Sequence, residues 1–315
     1  MTLAVKENVP LAPYTIYKIG GPARFFTEVK NGEDLAEALQ FAAGKAVPYF
    51  ILGAGSNVLV SDKGFGGLLV RMTGGEVRAD GERLIADAGV MMARAVTESA
   101  KAGLGGFEWG IGIPGTIGGS VRGNAGCFGG QMQGVVERVM VFDSTRNIKY
   151  EMPNTECHFS YRDSIFKRHP ERVILSAVLR LHTSDPAAVQ AQVRRITGER
   201  LAKQDIGAKS CGCIFKNISW TRKDVDREKL LAEFPELAQF KDRPTIPASF
   251  LIDAAGLKGK QVGKVIISPK HANFFVNEGS ATAEEVVMLT AIAKDTVRRT
   301  YGLRLEEEIQ HVGFG

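Results

Sequence analysis

The chain has 315 residues, 44% of them apolar, which is more than one core sustains and enough to fill two or three domains. A charge of +5 from 40 Lys and Arg against 35 Asp and Glu suits small polyanionic ligands, and no recurring basic and aromatic run points to nucleic acid. There is no apolar run long enough for a bilayer and no signal-peptide pattern at Met1 to Asn8, and four cysteines are too few for a disulfide framework, so a cytoplasmic protein with its cysteines as thiols is expected.

In chain order, a short strand from Arg24 to Val29 leads through Asn31, an N-cap residue, into a helix from Gly32 to about Lys45 with Leu35, Leu39 and Ala42 on one face. A strand at Tyr49 to Leu52 enters the glycine turn Gly53 to Asn57, and a strand at Val58 to Val60 leaves it for the turn Ser61 to Gly64. This first α/β unit closes near Arg71. In a second unit, strands near Val77, Arg83 to Ala88, Val135 to Phe142, Ile148 to Met152 and Val173 to His182 surround a helix from Met91 to Ala102 and a glycine-rich stretch. Asp185 and Pro186 open a polar helix to about Leu201. The third unit holds a strand at Cys213, helices near Lys229 to Phe234 and Ala248 to Ala255, strands at Val265 and Phe274, and a helix from Ala283 to Tyr301. Thr282 and Glu285 mark the start of that last helix as a capping box, and Gly302 marks its end. The expected domains are 1–71, 72–202 and 203–315.

Residues 103–126 hold ten of the chain's 36 glycines. Glycine is costly in regular structure, so such density implies positive φ angles or a large ligand lying on the backbone, and an anionic ligand suits backbone N–H groups. The stretch ends in no Gly-Lys-Ser/Thr and does not join a strand to a helix with Rossmann spacing. With the turn at Gly53 to Asn57 and the Gly20-Gly21 pair, three backbone-rich loops fall in the first 126 residues, as one extended dinucleotide would need.

Thr15 with Ile19-Gly20-Gly21-Pro22-Ala23, Leu52-Gly53 with Gly55-Ser56-Asn57-Val58, Gly112-Ile113-Pro114-Gly115-Thr116 with Gly118-Gly119, and Asn124-Ala125-Gly126 together resemble the flavin-binding motifs of the UDP-N-acetylenolpyruvoylglucosamine reductases, the MurB family. Tyr161-Arg162, Cys211-Gly212-Cys213 with Phe215-Lys216-Asn217, Ala248 to Gly259, Ser268 with His271-Ala272-Asn273-Phe274, and Leu305-Glu306 with Glu308 follow in family order, in the version of the type II branch. The resemblance implies an α/β (α+β) flavoprotein of three domains. Two would form an FAD-binding module of the PCMH or vanillyl-alcohol-oxidase type, and the third would bind substrate. It implies non-covalent FAD, NADPH as co-substrate and UDP-N-acetylglucosamine enolpyruvate as substrate; a monomer that inserts in no membrane is expected beside it. The implied FAD-binding residues are Gly20, Gly21, Gly53, Gly55, Ser56, Asn57, Gly112, Pro114, Gly115, Thr116, Gly118, Gly119, Asn124, Ala125 and Gly126.

Reduction of an enolpyruvyl group needs a hydride, which no side chain donates, a proton for the other carbon, and positive charge or hydrogen bonds at the carboxylate. By resemblance Arg162 meets that carboxylate with two parallel hydrogen bonds, Glu308 shares the polarisation if buried and protonated, and Glu306 is structural. Cys213 stands where the family's usual motif has a serine proton donor. The departure is chemically tolerable, because an unperturbed thiol, with a pKa of about 8.5, releases its proton more readily than an alcohol. Tyr161, Lys203 and Asn217 match substrate-binding positions, with Lys203 and Asn217 at the diphosphate. His271 reads as a hydrogen-bonded core residue. Cys211 and Cys213 with Cys157 and His158 lack zinc-knuckle spacing, so no metal site is expected. Two other functions fit parts of the pattern: another FAD-dependent oxidoreductase of the same superfamily, or a non-catalytic module that binds nucleotide-sugars or RNA.

Overall fold

In a computed structural model the structure describes residues 3–203, 205 and 207–315. The chain divides into two compact units: residues 1–10, 22–55 and 65–202 form the first, and residues 11–21, 56–64 and 203–315 the second.

The first unit carries two sheets. One orders strands Lys6–Pro10, Pro22–Val29, Phe65–Met72 and Tyr49–Leu52, with the last three parallel. Parallel pairing requires a covered crossover, and the helix Gly32–Gly44 supplies it, with Asn31 Oδ1 accepting from the Glu33 and Asp34 amides at 3.0 and 2.9 Å. The second sheet is antiparallel, in the order Ile148–Pro153, Val136–Asp143, Arg172–Arg180, Arg83–Asp87 and Val77–Asp80. The break expected at residue 71 falls between these sheets but does not separate two cores. Leu68 and Val70 of the first sheet share one buried apolar cluster with Leu84, Val139 and Ala177 of the second.

In the second unit, the strand Val58–Val60 pairs in parallel with Gln310–Val312, which is why the segment after the first glycine turn leaves the first unit. A small antiparallel sheet of Gln261–Val262, Val265–Ile267 and Phe275–Asn277 and the helices Ala248–Ala254 and Ala283–Tyr301 enclose a core that includes Phe215, Leu251, Ile267, Phe275, Leu289 and Val297. The capping box at Thr282 and Glu285 is formed, and the Asp62 carboxylate adds bonds from the Ala283 and Glu284 amides at 3.0 and 3.2 Å. Among the described residues no helix is long and apolar enough to cross a membrane.

Candidate active site

In the first unit the glycine-rich stretch folds into a tight turn and then a short helix, Ile117–Arg122, capped by Thr116, whose Oγ1 accepts from the Gly119 amide at 3.3 Å. The amides of Ile117 and Gly118 donate to Val90 and Ala88 at 2.8 and 2.9 Å, so this turn is fastened to the sheet behind it. The neighbouring glycines Gly118 and Gly119 therefore differ in kind. A Cβ on Gly118 would lie 2.8 Å from the Ala88 Cβ, whereas on exposed Gly119 it would meet only Thr116 Oγ1, at 3.6 Å. Protein packing explains the first glycine and leaves the second facing open space. An exposed backbone surface without side chains fits a flat dinucleotide, so the residues present fit FAD.

Other flavin-motif residues meet within each unit. A Cβ on Gly53 would approach Thr116 Oγ1 to 2.6 Å, which brings the second motif against the third, and Gly55 turns the chain with φ +65°. In the second unit Gly20 and Gly21 pack on the segment after the glycine turn, and the Gly21 amide donates to Ser61 O at 2.9 Å. Asn124 is buried, with its side chain bonded to Ser160 O at 2.8 Å and to the Gln133 amide at 2.9 Å. It shapes the loop with its side chain and leaves Ala125 and Gly126 as backbone. Ser56, in the turn beside Gly55, is half-buried.

Arg162 lies beside that loop. Its guanidinium donates to Gly126 O at 2.7 Å and Asn124 O at 3.4 Å, and sits 5.4 Å from the ring of exposed Tyr161. Its φ of +56° is a left-handed conformation that a non-glycine residue adopts at a cost, as residues held for function often do.

Three sequence motifs of the second unit converge through the backbone. Cys213 pairs with Phe274, the Ile214 amide donates to Asn273 O at 2.9 Å, and the Glu308 amide donates to Ile214 O at 2.8 Å. Asn273 has a role that sequence left unassigned: buried, it exchanges two hydrogen bonds with the Phe215 backbone, at 2.9 and 2.8 Å, and so stands in for a neighbouring strand. Asn57 Nδ2 donates to Glu308 O at 3.2 Å, tying a flavin-motif residue to the Glu308 segment. Cys213 and Glu308 are half-buried, while Cys211 is sealed in the core. Burial pushes the Cys211 thiol well up, and the nearby charges of Cys213, Glu308 and Glu307 add to the rise.

Asn217 Oδ1 accepts from the Ala248 amide at 3.1 Å, and Lys203 is exposed at the end of the helix Pro186–Lys203. His271 departs from the core reading: among the described residues its buried Nδ1 has no partner, its ring packs on Phe274 at 4.6 Å, and burial above all lowers its pKa. The four cysteines are thiols, and among the described residues no group of His, Cys, Asp and Glu could hold a metal ion.

The glutamate triplet divides three ways. Exposed Glu306 pairs with Arg222 at 3.5 Å, and Glu307 is clamped by His311 Nε2 at 2.6 Å and by Lys294. Those bonds, His311 first, hold the Glu307 carboxyl down to about 2 from 4.5. A depressed carboxyl stabilises the fold fully above its unfolded value and loses that contribution as pH falls through the folded one. Glu307→Gln is thus expected to cost on the order of 2–3 kcal/mol at pH 7. Urea midpoints of the two proteins should converge as pH falls from about 4.5 toward about 2. A gap that persists unchanged at low pH means that packing, not charge, sets it.

Residues 204–312 match the model of the UDP-N-acetylenolpyruvoylglucosamine reductase C-terminal domain, and residues 23–144 match an FAD binding domain. The UDP-N-acetylenolpyruvoylglucosamine reductase of Synechococcus sp. (strain JA-3-3Ab) is 34% identical over 98% of this chain and 91% of its own length. That of Rubrobacter xylanophilus is 36% identical over 98% and 96%. The crystal structure of the Thermus caldophilus reductase superposes with a TM-score of 0.77 at 31% identity, covering 98% of this chain and 99% of that one.

Proposed function

The chain belongs to the family of UDP-N-acetylenolpyruvoylglucosamine reductases, and on that premise we propose that Cys213, Glu308 and Arg162 carry its chemistry. The enzyme is an NADPH-using flavoprotein oxidoreductase that reduces UDP-N-acetylglucosamine enolpyruvate to UDP-N-acetylmuramate for peptidoglycan synthesis. Non-covalent FAD, recharged by NADPH, supplies the hydride for the methylene carbon of the enolpyruvyl group. Negative charge then gathers on the adjacent carbon and its carboxylate. Arg162 binds that carboxylate through its guanidinium fork, and Glu308 shares its polarisation. The Cys213 Sγ–H gives its proton to the adjacent carbon and later regains one from solvent. Tyr161, Lys203 and Asn217 position the nucleotide-sugar, and the residues of the glycine motifs hold FAD.

The observation that carries this reading is the backbone ladder joining Cys213–Phe215 to Asn273–Phe274 on one side and to Glu307–Glu308 on the other. A proton donor and a carboxylate-binding acid are thereby fixed on adjoining segments of rigid backbone, as proton transfer at a defined carbon requires. We place the working enzyme in the cytoplasm as a monomer, which size-exclusion chromatography with light scattering tests.

Arg162→Ala and Glu308→Gln are each expected to leave flavin bleaching by NADPH near the wild-type rate and to slow recovery of the oxidised spectrum with enolpyruvyl substrate about 100-fold. Stopped-flow traces in which both phases slow equally would assign these residues to flavin binding or folding instead.

A further inference from the structure

Arg200 is 7% exposed on the helix Pro186–Lys203, yet this buried cation has poor company. Nη1 donates to Cys127 Sγ at 3.1 Å, the Phe128 ring lies 6.0 Å from Cζ, and buried Nε has no hydrogen-bond partner among the described residues. Among the described residues Arg200 makes no ion pair with a carboxylate. Nor does Cys127 neutralise it: burial raises that thiol more than Arg200 and Arg162 lower it, and Sγ–H donates to Trp109 O at 2.9 Å. A buried guanidinium left with a thiol and a ring is unfavourable unless an anion completes it.

The surroundings indicate which anion. A Cβ on Gly112 would lie 2.9 Å from Arg200 Nε and 3.0 Å from Cδ, so the glycine lets the guanidinium lie against the backbone of the glycine-rich stretch. Cys127 directly follows the Asn124-Ala125-Gly126 loop. Arg200 thus lies between two of the first-unit segments proposed to hold FAD. We infer that Arg200 is a flavin-binding residue whose guanidinium pairs with the negative charge of the bound cofactor, on its diphosphate or on its reduced ring. This rests on the reading that the protein holds FAD.

Two full-length variants test it, Arg200→Met and Arg200→Lys, each titrated with FAD and poised electrochemically with FAD bound. The Met variant should fold with an unfolding midpoint, without FAD, at or above that of the wild type, because it removes an uncompensated buried charge. If the diphosphate is the partner, FAD should bind about 10- to 100-fold more weakly with the flavin potential unchanged. If the reduced ring is the partner, the potential should fall by about 30–60 mV, the same factor for a two-electron couple, with affinity for oxidised FAD near wild type. A Met variant that loses stability while affinity and potential stay at wild-type values overturns the inference and makes Arg200 structural. If the Met variant does not fold, the Lys variant decides: it keeps the charge without Nε, and wild-type affinity and potential together would likewise overturn the inference. A wild-type protein that binds no FAD removes the flavin reading itself, a result distinct from yellow variants that match a yellow wild type.

Discussion

Full-length Gly119→Val protein is expected to purify folded but depleted of flavin, whereas Gly118→Val is expected to lose stability. The two glycines are adjacent in one helical turn, Ile117–Arg122. At Gly119 the new Cβ meets only Thr116 Oγ1, at 3.6 Å, an ordinary contact, and valine is no worse than glycine in a helix. The branched side chain then fills the surface on which the cofactor is proposed to lie. Forcing extra carbon atoms into a packed contact costs about 1–3 kcal/mol and sometimes more, so FAD affinity should fall about 10- to 100-fold or beyond. At Gly118 the same change drives a Cβ to 2.8 Å from the Ala88 Cβ and 3.2 Å from its carbonyl, beside the bond from the Gly118 amide to Ala88 O. That loss falls on the fold and shows in thermal unfolding without FAD. The ratio of flavin to protein absorbance, read with circular dichroism melts, separates the cases. A folded Gly119→Val protein with stoichiometric FAD would falsify the assignment of this turn to the cofactor.

That contrast shows what sequence can and cannot carry. The density of glycine in residues 103–126 was legible, as was its meaning that backbone lies near backbone or ligand. Which glycine does which was not, because Gly118 and Gly119 differ only in what faces them. Local signals served well where the cause is local: the Asn31 cap, the Thr282 capping box and the strand Tyr49–Leu52 form as expected. The division into two units was hidden because it depends on Val58–Val60 pairing with Gln310–Val312, from opposite ends of the chain. Gly66 and Gly67 masked the strand Phe65–Met72, although Leu68, Leu69 and Val70 are fully buried in it. Arg200 did leave a signal. The buried residues of its helix are Val189, Ile196 and Arg200, at spacings of seven and four, so a charged residue sits on the apolar stripe.

Cys213→Ala, in a Cys211→Ala background, is expected to bind FAD, to be bleached by NADPH, and to stall when enolpyruvyl substrate is added. Delivery of hydride to the methylene carbon leaves negative charge on its neighbour, and a placed general acid there is worth about 100- to 10,000-fold. The position suits the task. Cys213 is half-buried, its backbone is pinned by pairing with Phe274, and the Glu308 amide holds the next residue's carbonyl at 2.8 Å. Cys213→Ser should retain much of the activity, since a hydroxyl presents one transferable proton from nearly the same point. An alkylating agent should inactivate the parent and spare the Ser variant, with substrate protecting the parent, because Cys211 and Cys157 are buried and burial raises the thiol of half-buried Cys127. Mass spectrometry of the alkylated peptides separates Cys213 from Cys127. Glu308→Gln gives the complementary readout: if Glu308 shares the polarisation of the carboxylate, it should slow the same phase that Cys213→Ala slows, and the double variant should lose less than the product of the two single losses, since both act on one transition state. A Cys213→Ala protein that turns over at the parent rate would make Cys213 a packing residue, and the proton would then have to reach the substrate from another group or from water.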